Sequence, residues 1–390
     1  MRIGIDYTPA VHQGGGIGRY VRELVRALAA LDQETSYLLF IAGPSDRFAR
    51  PALPPNFSLR FSPLSDRWLA RLWHRLRLPL PVERFTGPLD LFHATDFVLP
   101  PTRPGTRTLL TVHDLSFVRA PETATPALRR YLNRVVPRSV ARADHVLADS
   151  QATREDLIAL YGAPPEKVTV LYSGVDARFT PRQEPGERDR LRTRYGLPDA
   201  PFILSVGTLQ PRKNYVRLIR AFHRLTAMGV TWEGTPPHLV IAGGRGWLFD
   251  AIFAEGERLG VADRVHFPGF IADEDLPALY RSAALFAFPS LYEGFGLPLL
   301  EAMACGVPVV ASNASSLPEV VGEAGLLVEP TDVEGLARAM ARLLSDRPLR
   351  EALVRRGLDQ ARRFTWSKAA EQLVALYRRL LSDDRPSPSR

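Results

Sequence analysis

Short runs rich in β-branched and aromatic residues alternate with helix-period segments along nearly the whole 390-residue chain. The runs fall at 3–7, 37–42, 89–93, 108–113, 145–149 and 168–172, then at 202–206, 239–242, 265–267, 285–288, 307–311 and 326–328. Strands separated by helices pair in parallel through crossover connections, so the pattern predicts parallel sheets flanked by helices. The clearest helix carries Ile17, Tyr20, Val21, Leu24, Val25, Leu28 and Leu31 at the three-and-four spacing of one apolar face, which should pack on a sheet.

Between the two series lies Thr180-Pro181-Arg182-Gln183-Glu184-Pro185-Gly186, a polar, turn-forming stretch typical of an interdomain connection. The length exceeds one ordinary core. The chain therefore divides into two Rossmann-like α/β domains, 1–178 and 179–390, with the last helix a candidate to return to the N-terminal one. Two open parallel sheets joined this way are expected to turn their strand ends toward a common cleft, which places function in the strand-to-helix loops. The tail Arg385-Pro386-Ser387-Pro388-Ser389-Arg390 is expected to be disordered.

Composition narrows the ligand classes. A hydrophobic fraction of 45% with 24% charged residues excludes wholesale disorder and collagen-like or coiled-coil architectures. Cys305, the single cysteine, can form neither an internal disulfide nor a thiolate zinc cluster, and it suits a small core position. Arg2-Ile3-Gly4-Ile5-Asp6 already reads as a strand, leaving no room for a signal sequence, and no apolar run reaches bilayer length. A cytoplasmic location is expected. The formal charge of +8 favours anionic partners such as nucleotides, phosphates or lipid headgroups; no nucleic-acid partner is predicted. Only Lys167, Lys213 and Lys368 are lysines among 50 basic residues, so Lys213 stands out where it falls.

Four strand-end segments carry chemistry. His12-Gln13-Gly14-Gly15-Gly16-Ile17-Gly18 runs into the first helix as a phosphate- or sugar-approaching loop would, but lacks the G-x-G-x-x-G dinucleotide spacing because Arg19 occupies the last glycine position. Thr111-Val112-His113-Asp114 puts a histidine and a carboxylate at a strand end. After strand 202–206 come Gly207 and then Arg212-Lys213-Asn214, a planar fork and a point charge able to grip two phosphates, without Walker A spacing. The most informative segment is Tyr292-Glu293-Gly294-Phe295-Gly296-Leu297-Pro298-Leu299-Leu300-Glu301. Pro298 marks the first turn of a helix whose N–H groups at Phe295, Gly296 and Leu297 would face an anion, between two carboxylates suited to sugar and ribose hydroxyls.

Together these segments resemble glycosyltransferase family 4. Glu293 and Glu301 stand in its E-x7-E arrangement, and the Gly14 to Gly18 loop, His113-Asp114, Arg212-Lys213-Asn214 and the hinge-like Leu171-Tyr172-Ser173-Gly174-Val175-Asp176 follow in the family's order over essentially the whole chain. The resemblance implies a GT-B fold and a retaining, mannosyltransferase-like transfer without a bound metal or other cofactor. The donor would be a nucleotide sugar, GDP- or UDP-linked, and the acceptor a saccharide or lipid-linked sugar in polysaccharide or glycolipid synthesis. By the same resemblance, Arg212 and Lys213 neutralise the diphosphate, Glu301 holds the ribose and Glu293 the donor sugar. His113 lies beside the sugar, Gly16 approaches the phosphate, and Gly207 with the turn at Phe295, Gly296 and Leu297 completes the donor site. A related sugar-nucleotide epimerase would need no second acceptor, and a non-catalytic binder would turn over no donor at all.

Two further segments need placing. Asp273-Glu274-Asp275 matches the D-x-D pattern of metal-dependent transferases but precedes Leu276, Leu279 and Tyr280, which predicts a helix start with an N-cap acid. Over 66–78, Trp68, Leu69, Leu72, Trp73 and Leu76 fall on one helical face and Arg67, Arg71, His74, Arg75 and Arg77 on the other. Such a helix suits either packing on the first sheet or peripheral contact of 68–78 with an anionic membrane surface.

Overall fold

A computed structural model describes residues 1–43 and 52–382; the tail at 385–390 lies outside the described residues. The chain divides into two compact units. The first comprises Met1–Leu115, Arg130–Gly174 and the final helix Trp366–Ser382, and the second comprises Ser116–Arg129 and Val175–Thr365.

The first unit is built on seven parallel strands: β1 (Arg2–Asp6), β2 (Ser36–Ala42), β3 (Phe57–Ser62), β4 (Leu91–Ala94), β5 (Arg107–Val112), β6 (His145–Ala148) and β7 (Val168–Val170), in the order β3-β2-β1-β4-β5-β6-β7. In β2 every residue from Tyr37 to Ala42 is buried, as a strand covered on both faces requires. The sequence pattern did not single out β3, which forms the sheet edge with Arg60 and Phe61 exposed. An edge strand needs no continuous apolar run.

Helix Gly16–Leu31 buries Tyr20, Val21, Leu24, Val25 and Leu28, whereas Leu31 is exposed. Asp32 stops it: its carboxylate accepts from the Glu34 and Thr35 amides and from the Tyr37 hydroxyl at 2.9–3.1 Å, turning the chain into β2. The helix Trp366–Ser382 belongs to the same unit, with Trp366 edge-on to Tyr20 at 5.9 Å and the Tyr377 hydroxyl 2.7 Å from His93 Nδ1 in β4. Each large side chain buried between these layers contributes about 1.5–3 kcal/mol of transfer free energy.

The second unit carries six parallel strands, β8 (Phe202–Val206), β9 (His238–Ala242), β10 (Val265–Gly269), β11 (Leu285–Phe288), β12 (Val309–Ser312) and β13 (Gly325–Val328), ordered β10-β9-β8-β11-β12-β13. All of β11 and β12 is buried, and Cys305 lies in the core among Met303, Ala304 and Val307. Strand order reverses between β1 and β4 in one sheet and between β8 and β11 in the other, the positions where ligands of open parallel sheets bind.

Two sequence expectations change. The segment 66–78 is not one regular helix: Asp66–Ala70 is α-helical and Arg71–Arg75 forms a wider π-turn. The expected apolar face does not pack as one surface. Leu69 is buried and Trp73 packs toward Phe40 while donating Nε1–H to the Leu80 carbonyl at 2.8 Å, but Trp68 and Leu76 are 55% and 62% exposed. Asp275 does precede the helix Leu276–Arg281, yet its carboxylate makes no capping hydrogen bond. It accepts instead from Arg194 and from the Tyr195 hydroxyl, each at 2.7 Å, because those cationic and phenolic donors reach it from the end of the helix Glu187–Tyr195.

Candidate active site

In the second unit, the carboxyl ends of β8 and β11 bring together three of the predicted residues. Arg212 and Lys213 occupy a short turn after β8, and Asn214 follows in the left-handed conformation, φ 61°. The Asn214 amide holds that turn by donating to the carbonyls of Pro289 and Pro330 at 2.9 and 2.7 Å. Across it, Glu293 accepts from Arg212 Nη1 at one carboxylate oxygen and from Lys213 Nζ at the other, each at 2.7 Å. Arg212 also donates to the Tyr292 carbonyl, and the Lys213 ammonium sits 4.7 Å over the Phe288 ring.

Burial alone would raise the Glu293 carboxyl. The Arg212 and Lys213 charges and the lysine hydrogen bond outweigh it and hold the group down at about 2. Two cations against one carboxylate leave one net positive charge in a largely dry loop cluster, where an anion gains most from it. Gly207 is required by close approach: a Cβ there would sit 3.0 Å from both Lys213 Cε and the Tyr215 hydroxyl oxygen.

The turn into helix Leu297–Ala304 depends on Gly296, whose φ of 114° disfavours a side chain and whose Cβ would meet Leu317 Cδ2 at 2.9 Å. The Ser316 hydroxyl ties the turn by bonding the carbonyls of Glu293 and Phe295, and the Glu293 amide donates to Ser315 Oγ. Pro298 occupies the first helical turn, as predicted. Glu301 lies along that helix, 2% exposed, and accepts from the Tyr280 hydroxyl at 2.8 Å. The two glutamates therefore stand in different settings: Glu293 with the cations, Glu301 with a phenol.

In the first unit, Gly14, Gly15 and Gly16 are exposed, and a Cβ on any of them would meet none of the described residues within 4 Å, whereas Gly18 is packed against the Gln13 and Pro9 carbonyls. Among the described residues, packing accounts for Gly18 and not for the other three. His113, immediately beyond β5, is buried with both ring nitrogens engaged: Nδ1 lies 2.7 Å from Asp149 Oδ2 and Nε2 2.8 Å from the Thr95 carbonyl. Burial works against its charge, but the Asp149 carboxylate, with smaller help from Asp96 and the Thr95 carbonyl, pushes it up to about 9.

Sequence reasoning missed the carboxylates around this histidine. Asp96 follows β4 and Asp149 follows β6, the same strand-end placement that singled out His113, and Asp6, which ends β1, interacts with Asp96. Burial raises Asp6 to about 7 against the hydrogen bonds from Thr8, and it raises Asp96, which accepts from Gln13 Nε2 at 2.8 Å.

Two all-parallel units, one carrying a cation–carboxylate cluster beside a helix N-terminus, define a class, the GT-B sugar-transfer fold. Known proteins bear this out. The family model "Glycosyltransferase Family 4" matches residues 14–179, and "Glycosyl transferases group 1" matches residues 187–360. The chain is 34% identical to the O-antigen chain mannosyltransferase B of Escherichia coli, over 97% of this chain and 100% of that protein. Among solved structures, sucrose-phosphate synthase from Thermosynechococcus elongatus superposes with a TM-score of 0.76 at 24% identity, covering 98% of this chain and 99% of that one. Anabaena HepE in complex with UDP-glucose gives 0.72 at 21% identity, covering 97% and 99%. The chain belongs to glycosyltransferase family 4 and has the GT-B fold.

Proposed function

We propose that this chain is a retaining hexosyltransferase that moves mannose from a nucleotide sugar to a saccharide or lipid-linked acceptor, in the synthesis of a polysaccharide or glycolipid. The observation that carries the donor assignment is the buried cluster of Arg212, Lys213 and Glu293. Its net positive charge matches a diphosphate, and a leaving diphosphate gains charge as the glycosidic bond breaks, so preplaced cations lower that barrier. The full-length similarity to an O-antigen chain mannosyltransferase supports mannose and a polysaccharide product. GDP and UDP are the donor bases to test first, the second because HepE, of the same fold, is described with UDP-glucose.

Within this reading, Arg212 and Lys213 neutralise the diphosphate, and the amides of Phe295, Gly296 and Leu297 add the partial charge of a helix N-terminus. Glu301 takes the ribose. Glu293, already holding both cations, orients them and meets the donor sugar. Gly16 leaves room for phosphate, Gly207 lets the Lys213 stem and Tyr215 pack closely in the donor loop, and His113 supplies positive charge at its strand end. Transfer proceeds without a metal: Asp275, the acid that would close a D-x-D site, is committed to Arg194 and Tyr195. The protein works in the cytoplasm, with exposed Trp68, Leu76 and Leu78 among Arg67, Arg71, Arg75 and Arg77 giving peripheral contact with an anionic bilayer surface. Among the described residues no helix is long and apolar enough to cross a membrane.

Thermal shift tests the donor site, since a ligand that binds only the folded state raises its melting temperature. GDP or UDP should stabilise the wild type in EDTA. Glu301→Ala should lose most of that shift, while Glu293→Ala should keep more of it and chiefly lose sugar transfer. An equal loss of nucleotide binding in both variants would contradict the division of roles.

A further inference from the structure

We propose that Asp149 is a positioning residue for the transfer reaction: by pairing with His113 Nδ1 while the Thr95 carbonyl accepts from Nε2, it fixes this histidine as a doubly protonated, immobile charge that cannot shuttle a proton. The proposal rests on the transferase reading above and specifies how His113 serves it.

The geometry leaves little choice of protonation. A carbonyl oxygen only accepts, so Nε2 at 2.8 Å from the Thr95 carbonyl carries a hydrogen. Nδ1 faces a carboxylate oxygen at 2.7 Å, the distance of a charge-assisted bond. Among the described residues the other Asp149 oxygen, Oδ1, is buried with no hydrogen-bond partner, so the compensation of this carboxylate comes from His113. Aromatic rings close two sides, with Tyr20 edge-on at 5.1 Å and Phe97 at 5.5 Å. The main chain is held as well, since Thr153 Oγ1 donates to the His113 carbonyl at 3.3 Å.

The titratable groups facing His113 are Asp96 and His93 from the β4 side, Asp114 next in the chain, Asp149 beyond β6, and Tyr20 from the helix Gly16–Leu31. Burial, with the His113 charge adding to it, holds His93 neutral down to about 3, so it does not compete for the proton. Asp96 favours the charged imidazole from a second direction. Burial pushes the Asp149 carboxyl up while the His113 charge pulls it down. The proton lies on the imidazole because that arrangement satisfies both nitrogens and serves Asp96 too.

Nitrogen-15 NMR of the full chain reads the ring state directly. In the wild type, His113 should keep protons on both nitrogens through neutral pH and titrate near 9. Asp149→Asn keeps the shape and removes the charge, so the midpoint should fall by about 1–3 pH units. Transfer should follow the same shift: activity falls through about 9 in the wild type, falls from correspondingly lower pH in Asp149→Asn, recovers toward the wild type when that variant is assayed near pH 6, and is restored by Asp149→Glu. A neutral, singly protonated His113 at pH 7 in the wild type would overturn the proposal, and this measurement needs no variant to fold. So would an Asp149→Asn enzyme slowed by one factor at every pH. Failure of the transferase reading shows separately, as a wild type that turns over no nucleotide sugar.

Discussion

Lys213 shows how much one side chain can be asked to do. It is one of three lysines in the chain, it is nearly buried, and its ammonium touches a carboxylate and an aromatic face. Lys213→Ala should lower turnover by about 10²-fold or more, the scale of losing one preplaced electrostatic contact with a leaving group. Steady-state kinetics on a variant with unchanged circular dichroism checks it, and a near-native rate would remove the lysine from the chemistry. Glu293 carries the matching stability prediction. Its folded carboxyl is depressed to about 2 from an ordinary 4.5, so its stabilisation is present above 4.5 and is lost as pH falls through 2. Glu293→Gln removes the carboxylate that both cations share and should cost about 3–5 kcal/mol at neutral pH. The gap from wild type should narrow as the pH is lowered through that window, measured by urea unfolding.

At the scale of elements, the segment 66–78 separates what a sequence pattern can and cannot express. Helical periodicity placed Trp68 and Trp73 in one apolar arc, but five residues put them about 140° apart on a helix, at its two edges, and the fold turns one outward and one toward Phe40 before and within a π-turn. No residue type marks that turn. Trp73→Phe should destabilise the fold by about 0.5–1.5 kcal/mol through loss of its bond to the Leu80 carbonyl. Trp68→Ala should leave stability within about 0.5 kcal/mol yet weaken co-sedimentation with anionic vesicles at low salt; unchanged co-sedimentation would remove the membrane role. The strands were more legible, because buried parallel strands write themselves as apolar runs: residues 202–206 and 285–288 match β8 and β11 to the residue. The edge strand β3 was not seen, since a half-exposed edge carries no such run. Within the candidate site, residues whose type is chemically rare, such as Lys213 and His113, stood out, whereas Asp149 and Tyr280 are common residues made significant only by what folding brings beside them.

For the whole molecule, the two units have distinct chemistry written on sheets of the same kind. The second carries the cation cluster just beyond β8, and the first carries a histidine flanked by carboxylates just beyond β4 and β6. Family membership follows from the whole chain, matched along 97% of its length by an O-antigen chain mannosyltransferase. Retention of configuration, proposed for the transfer, is read from the anomeric protons of the product. The protein should be incubated in EDTA with GDP-mannose, UDP-glucose and a panel of saccharide and lipid-linked acceptors, and the product read by proton NMR before it can anomerise. An α-linked donor sugar should appear as an α-glycoside, formed with release of the nucleoside diphosphate. A β-glycoside would rule out retention, and a donor turned over to another sugar nucleotide with no glycoside formed would rule out transfer.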